Sequence, residues 1–164
     1  MGDIVRQTVE CEAIVFDLDV LASGSDDGSA AEPTAGAGFL LSHLPVGRWA
    51  IVTSGTAPVA RRRLESAKLP VPSVLIATDV APVAADLERA AESIGADPDF
   101  SVVVAGCLAT LDAAAAHAGV IAVAGAAENE RLRGAHHVVP SLSSLRVLGQ
   151  HPVLVLEVDS IPDL

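Results

Sequence analysis

Five short runs of apolar, mostly β-branched residues alternate with helical stretches along this chain, and this alternation limits the folds that it can adopt. The runs are AIVFD at 13–17, WAIVT at 49–53, SVLIA at 73–77, SVVVA at 101–105 and VIAVA at 120–124. Strands that are apolar on both faces are typical of a parallel sheet with helices on each side. The sequence therefore predicts an α/β fold of three layers, α/β/α, with a central parallel sheet.

The stretches between these runs show helical periodicity. In the clearest one, 82–94, Val83, Leu87, Ala90 and Ile94 are spaced four, three and four residues apart. Proline at the start and Gly95 after the end suit the first turn and the stop of a helix. Further helices are predicted over 34–44, 58–67 and 108–118.

A chain of 164 residues is expected to form one domain, 1–164, with a core of its own. The segment 23–38 is rich in Gly, Ser and Ala and is interpreted as a flexible linker. The tail over 150–164 is interpreted as a C-terminal edge strand, antiparallel over 152–161, followed by a short end. The stretch before the first strand allows either an added strand or a disordered arm.

Composition excludes several classes of partner. Ten basic and twenty-one acidic residues give a formal net charge of −11, and aromatic residues are 2% of the chain. This balance argues against nucleic acid and against an anionic membrane surface as partners. No apolar run is long enough to span a bilayer, and the first ten residues carry no targeting pattern, so we expect a cytoplasmic protein. Cys11 and Cys107 have no metal-ligand spacing and are interpreted as small buried residues.

Polar residues and glycines follow the predicted strands at the edge where ligands of parallel sheets bind. They are Asp17 and Asp19 after the first strand, Thr53, Ser54 and Gly55 after the second, Thr78 and Asp79 after the third, and Gly106 after the fourth. Each residue type also caps helices or makes turns, so each has an ordinary structural explanation when it is taken alone. Their convergence on one edge is what points to a site.

The Asp-x-Asp after the first strand, followed by a strand that ends in TSG, resembles the haloacid dehalogenase superfamily of phosphohydrolases. The segments HLPVGRWAIVTSGT, RRRLESAKLPVPSVLIATDV, LERAAESIGADPDFSVVVAG, AAAAHAGVIAVAG and HHVVPSLSSLRV resemble its sugar-phosphatase branch in order and spacing. The resemblance implies a Rossmann-like core whose first strand is central. The second and third strands would lie on one side of it, and the fourth and fifth on the other.

The resemblance also implies roles for individual residues. Asp17 would be the nucleophile that forms an aspartyl-phosphate, and Asp19 would protonate the leaving oxygen and later activate water. Thr53, Ser54 and Gly55 would hold the phosphoryl oxygens. Mg²⁺ is the implied cofactor, with Asp17 and Asp19 among its ligands and further acids after the fourth strand.

Four features depart from the family pattern. Ala81 stands where the family has a lysine, and Ala105 and Gly106 stand where it has metal-binding acids. Val20 replaces the glycine that follows Asp-x-Asp. The segment 23–38 stands where this branch has a cap domain that closes over the substrate. Arg61, a turn into the helix after Thr53, could reach a phosphate, although arginines of a surface helix usually point into solvent.

These losses predict a capless, degenerate member with little or no phosphatase activity, because phosphoryl transfer depends on charge stabilisation. Mg²⁺ binding is expected to be weak or absent. Such a protein could bind a phosphorylated small molecule, a protein partner or a second copy of itself. The alternative is an active Mg²⁺-dependent phosphatase of small phosphate monoesters that uses Asp17 as nucleophile and takes its missing groups from elsewhere.

Overall fold

The computed structural model describes residues 4–23, 31–78, 80–114, 119–124, 135–150 and 152–161. Its strands are β1 (Val5–Cys11), β2 (Ala13–Asp17), β3 (Ala22–Ser23), β4 (Glu32–Pro33), β5 (Trp49–Thr53), β6 (Leu75–Ala77), β7 (Ser101–Ala105), β8 (Gly119–Val123), β9 (His137–Val139), β10 (Leu145–Gly149) and β11 (Leu154–Ser160). The helices are α1 (Leu18–Leu21), α2 (Ala37–His43), α3 (Ala57–Ser66), α4 (Ala84–Ser93) and α5 (Leu108–Ala114). No helix within these ranges is long and apolar enough to cross a membrane.

Six strands form the main sheet in the order β6-β5-β2-β7-β8-β9. Every pairing in this sheet is parallel. The central position of β2, with β5 and β6 on one side and β7 and β8 on the other, confirms the predicted strand order. A parallel sheet brings the carboxyl ends of its strands to one edge, so the residues that follow them meet there.

The strands are apolar throughout because both faces of the sheet are covered. Ile14 and Phe16 point from β2 into a core shared with α2, α3 and the strands β10 and β11. Ala13 and Val15 point to the opposite face, into a core shared with α4 and α5. Alternate residues of one strand thus enter different cores, which is the three-layer arrangement that the sequence predicts.

Helix α2 begins three residues later than the sequence predicts. Thr34 is used elsewhere: its backbone N–H donates to Leu21 O at 2.9 Å, and its hydroxyl donates to Val20 O. Gly36, at the helix N-terminus, has a φ of 85° that is not helical. The helix therefore starts at Ala37. Of the helix predicted over 108–118, the last four residues lie outside the described ranges.

A second sheet packs against the main one. It is antiparallel, with the order β1-β11-β10. The stretch before the first strand of the main sheet is thus a strand, not an arm. The predicted edge position of the tail is wrong, because β11 is the middle strand of this sheet, held by β1 and β10 on its two sides.

The segment 23–38, interpreted from sequence as one flexible linker, is structured at its described ends. Ser23 belongs to β3, which pairs antiparallel with β4, and Ala37 begins α2. This pairing corrects the linker interpretation for 31–38. Residues 24–30 lie outside the described part of the chain.

Gly36, which precedes α2, packs against the turn at Leu142–Ser144, and we expect its replacement to lower the free energy of unfolding. A Cβ at Gly36 would lie 2.3 Å from the backbone nitrogen of Ser143, whereas a Cβ at Gly47, which has a similar φ of 84°, would meet nothing within 4 Å. Gly47→Ala should lower the free energy of unfolding by about 1 kcal/mol through its positive φ alone. Gly36→Ala should lower it by roughly 3 kcal/mol, because steric overlap is added.

Urea denaturation of the two variants measures this difference directly. Equal losses in both variants would contradict the close packing of α2 on this turn.

Candidate functional site

The carboxyl edge of the main sheet brings the predicted site residues together. Asp17 ends β2 and is in register with Val52 of β5, so Thr53 lies one residue further along the neighbouring strand. Ala105 ends β7 on the other side of β2, and Gly106 follows it. Neighbouring strands are about 4.8 Å apart, so these residues surround the Asp17 carboxylate.

Asp17 is a buried carboxylate, 6% exposed. Its Oδ1 atom accepts a hydrogen bond from the backbone N–H of Asp19 at 3.3 Å. Its Oδ2 atom accepts from three groups that follow β7: the backbone N–H of Gly106 at 3.3 Å, the thiol of Cys107 at 3.2 Å and the hydroxyl of Thr110 at 3.0 Å. One carboxylate oxygen is therefore fully engaged by the protein itself.

The protonation of this group is set by opposing effects. Burial raises the pKa of Asp17 above its usual range, and the neighbouring Asp19 raises it further, whereas the donors from Cys107, Asp19 and Thr110 lower it. Burial and the charge of Asp17 also raise the pKa of the Cys107 thiol. Cys107 thus stays protonated and acts as a donor.

Cys107 and Thr110 both donate to the Asp17 carboxylate, and the sequence analysis did not identify either of them as a site residue. Cys107 is half-buried, not a fully buried apolar residue as predicted, whereas Cys11 is buried as predicted. The available signal was their position: they lie three residues apart directly after a strand that ends at the site edge.

Asp19 is held by an arginine. Its side chain is 56% exposed, and its Oδ1 lies 2.9 Å from the guanidinium of Arg63, which is only 14% exposed. Arg63 also donates to the carbonyl of Ala22. Arg61, which the sequence analysis considered, is exposed. Arg63 lies three residues after Ala60, on the helix face that Ala60 and Leu64 bury. This spacing is visible in the sequence and distinguishes Arg63 from the exposed Arg61.

Thr53, Ser54 and Gly55 form a turn between β5 and α3. Thr53 is buried, and its hydroxyl oxygen accepts from the backbone N–H of Gly55 at 3.3 Å. Thr78 fixes the Thr53 carbonyl with donors from its backbone at 3.0 Å and its hydroxyl at 3.1 Å. Ser54 is exposed at the same edge. The turn therefore carries two hydroxyl groups, one buried and one exposed, at the sheet edge where Asp17 ends β2.

Val20 occupies the space that a side chain at position 106 would need. A Cβ at Gly106 would lie 2.5 Å from Cγ1 of Val20 and 3.3 Å from its backbone nitrogen. Val20 is 3% exposed and β-branched, so it has little freedom to move away. No side chain fits at Gly106 while Val20 keeps its place.

The donor set for a metal ion consists of Asp17, Asp19 and Cys107, whose ligand atoms all lie within 4.8 Å of one another. Mg²⁺ prefers six oxygen ligands in octahedral geometry. Here the third side chain offers sulfur, and the Asp17 Oδ2 atom already accepts three hydrogen bonds. These residues fit a dedicated Mg²⁺ site poorly. Ala81, at the predicted lysine position, lies in the loop between β6 and α4 and carries no charge.

A cavity of about 330 Å³ opens beside Asp19 at this edge. Its mostly apolar lining includes Val20, Gly106, Val123 and Leu142. The volume falls in the range of small-molecule sites, but the lining offers few partners for a polyol.

No model of a known protein family matches the chain, but solved structures share its fold. A haloacid dehalogenase family hydrolase from Deinococcus radiodurans R1, with bound phosphate and sodium, matches with a TM-score of 0.70 at 15% identity, covering 81% of this chain and 92% of that one. The 3-deoxy-D-manno-octulosonate 8-phosphate phosphatase of Moraxella catarrhalis, in complex with magnesium, phosphate and the sugar acid, matches with a TM-score of 0.58 at 14% identity, covering 79% and 76%. The fold is thus that of a haloacid-dehalogenase-type core.

A sequence relative agrees with this class. Hexitol phosphatase A of Escherichia coli strain K12 is 36% identical over 140 residues, which cover 81% of this chain. The chain spans about two thirds of that relative, 64% of its length. The chain therefore has the fold of haloacid dehalogenase hydrolases and is similar in sequence to a hexitol phosphatase.

Burial of Asp17 predicts a distinctive effect of Asp17→Asn on stability. The pKa of Asp17 is raised in the folded state. Part of the wild-type stability is therefore present below the ordinary pKa of aspartate, and this part is lost as the pH rises through the raised pKa of Asp17. An asparagine side chain does not ionise and avoids this loss. The free energy of unfolding of Asp17→Asn, relative to wild type, should therefore increase as the pH rises above about 4.

Urea denaturation across this pH range provides the measurement. Thr110→Val, which removes a donor that lowers the Asp17 pKa, should move the wild-type pH dependence to higher pH. A relative stability of Asp17→Asn that is constant or falls with pH would contradict the buried-carboxylate description.

Proposed function

We propose that this protein is a haloacid-dehalogenase-fold relative of sugar phosphatases that has little or no phosphatase activity and binds a phosphorylated small molecule. The observation that carries this proposal is the closure of Gly106 by Val20. At this position the family resemblance implies a metal-binding acid. The site here lacks that acid and also the space for it.

The engaged state of Asp17 supports the proposal. Three neutral donors after β7 satisfy Oδ2, on the side of the carboxylate that faces Gly106. They lower the pKa of Asp17 against the larger effect of burial, so the protein's own donors offset part of the cost of this buried charge. Weak or absent Mg²⁺ binding follows from this arrangement.

The missing cation is not replaced by the described residues around Asp17. Ala81 has no charge, and Arg63 is already paired with Asp19 and with the Ala22 carbonyl. Arg63 thus neutralises the general-acid candidate instead of the nucleophile. Individual charge-stabilising groups are worth about two to five decades in the rate of phosphoryl transfer, so losing two of them should leave little turnover.

A missing cap also belongs to this proposal. Residues 24–31 are all that connect β3 to β4, and the longest stretch between consecutive described elements is 124–136. Both are far shorter than the roughly 50 residues of a small domain. An open site loses the exclusion of water that strengthens electrostatic catalysis.

What remains suits ligand binding. Thr53 and Ser54 offer hydroxyl donors for a phosphoryl group, and the cavity beside Asp19 has room for the organic part of a small ligand. The cytoplasmic location expected from the sequence is part of this proposal, and the free thiols of Cys11 and Cys107 are compatible with a reducing compartment.

An active phosphatase is the second candidate, because Asp17, Asp19 and Thr53 lie together at the sheet edge. In that reaction an Asp17 oxygen attacks phosphorus, the ester P–O bond breaks, and Asp19 gives its proton to the leaving alcohol. Water activated by Asp19 then hydrolyses the aspartyl-phosphate. Relatives with this fold contain phosphate together with sodium or magnesium.

An assay with Mg²⁺ separates the two candidates. We expect wild type and Asp17→Asn to hydrolyse p-nitrophenyl phosphate and hexitol phosphates at the same background rate, because the charge-stabilising groups are missing. Turnover that Asp17→Asn abolishes would favour the active phosphatase. Thermal stabilisation by a hexitol phosphate without Mg²⁺, lost in Thr53→Val, would support the binding function, and no stabilisation by any phosphorylated ligand would contradict it.

Restoring the metal acid should require two substitutions. Gly106→Asp alone is expected to lower the free energy of unfolding by about 2 kcal/mol or more through overlap with Val20, without creating a metal response. The double variant Val20→Gly with Gly106→Asp has space for the new carboxylate. Millimolar Mg²⁺ or Mn²⁺ should raise the unfolding temperature of the double variant only.

Val20→Gly alone is the matched control, since it opens the space without adding an acid. A metal response in Gly106→Asp as large as in the double variant would show that Val20 does not close the position.

A further inference from the structure

Strand β1 leaves a free backbone edge on the second sheet. It pairs with β11 through seven consecutive residues, Val5 to Cys11, with no bulge, and no strand of the described chain pairs with its other side. The other edge strand, β10, is interrupted by a register shift between Val147 and Gly149. Only the β10 edge is thus protected by an irregularity.

Unprotected edges of this kind are templates for pairing with another chain. Native edge strands usually avoid pairing by being short or by carrying proline, charged residues, especially lysine, or a bulge. The sequence of β1, VRQTVEC, has no proline, lysine or bulge, its two charged residues have opposite signs, and all its residues except Val9 and Cys11 are exposed. Ile4 and Val5, at its start, are among the exposed large hydrophobic residues of the chain.

We propose that β1 pairs antiparallel with β1 of a second copy of this chain, with the two-fold axis at Thr8. The strand is self-complementary in this register. Arg6 lies opposite Glu10 of the second copy, and Thr8 lies opposite its own equivalent. On the other face, Gln7 lies opposite Val9 of the second copy, and Val5 lies opposite Cys11 of the second copy.

The charged pairs lie on the exposed face of the sheet. Arg6 is in register with Asp159 and Thr8 with Glu157 on β11. The side chains of Asp159 and Glu157 point away from the core that Leu156 and Val158 enter. Arg6, Thr8 and Glu10 share that outer face because side chains alternate along a strand.

The charges available on this face favour the second copy as occupant. Arg6 is 61% exposed although it pairs with Asp159 and Glu157, and Glu10 has no ion pair among the described residues. Two-fold symmetry makes the Arg6–Glu10 contact twice, and opposite charges directly across an antiparallel pair are stabilising. These local contacts act against the repulsion between two chains of net charge −11.

The result is one continuous six-stranded antiparallel sheet with the order β10-β11-β1-β1-β11-β10. The site at the carboxyl edge of the main sheet takes no part in this pairing. The inference therefore does not depend on the proposed function.

Sedimentation or light scattering over a range of concentrations tests the dimer. A chain of 16.6 kDa should shift towards twice that mass, 33.2 kDa, as concentration rises. Glu10→Lys places like charges opposite each other twice and should weaken the dimer at least about tenfold. Glu88→Lys, with the same change of charge at an exposed position of α4, should leave it unchanged. A chain that stays monomeric overturns the proposal, as does equal weakening by both variants.

Cysteine pairing tests the register. Thr8→Cys should form a disulfide-linked dimer on mild oxidation, because cross-strand Cα atoms are about 4.5–5.5 Å apart, within disulfide range. Arg6→Cys should not link to itself, since the two copies of residue 6 lie about 14 Å apart at 3.4 Å per residue. A mixture of Arg6→Cys and Glu10→Cys should give the linked heterodimer. The wild-type chain, with Cys11 and Cys107, gives the background level of disulfide-linked dimer. A dimer in which Thr8→Cys does not form a disulfide would contradict pairing through β1.

Discussion

The hydrogen bonds that the loop after β7 donates to the Asp17 carboxylate are the interaction on which the rest of the site depends. Asp17 is buried at the end of the central strand, where an unpartnered charge would be costly. Gly106, Cys107 and Thr110 satisfy one of its oxygens with neutral groups. These donors offset part of the cost of burying the charge, although burial still raises the pKa of Asp17.

Two further residues near Asp17 are engaged by other parts of the chain. Asp19 forms an ion pair with Arg63, and Val20 fills the space beside Gly106. Asp17 and Asp19 thus have partners within the chain, whereas the buried Nε atom of Arg63 has no hydrogen-bond partner among the described residues. Binding of a phosphorylated ligand remains compatible with the exposed hydroxyl of Ser54 and with the open cavity.

Much of the main sheet could be predicted, because a strand that is buried on both faces leaves a continuous apolar run in the sequence. The second sheet could not be predicted in the same way. β1 is exposed on most of its length and has no such run, and β11 alternates buried and half-buried residues, which is equally compatible with an edge strand. Its central position depends on pairing with residues about 150 positions away in the chain, which a local pattern does not record.

The sequence by itself determined the three layers and the convergence of Asp17, Asp19, Thr53 and Gly106 on one edge, because continuous apolar runs and helical periodicity are local patterns, whereas the central position of the first strand followed from the family resemblance. Only the tertiary structure decided what surrounds those residues. Thr110 reaches Asp17 across 93 positions, Arg63 reaches Asp19 across 44, and Val20 closes Gly106. These contacts depend on how helices and loops pack at the sheet edge, where side-chain volume and distance decide which partner each charge finds.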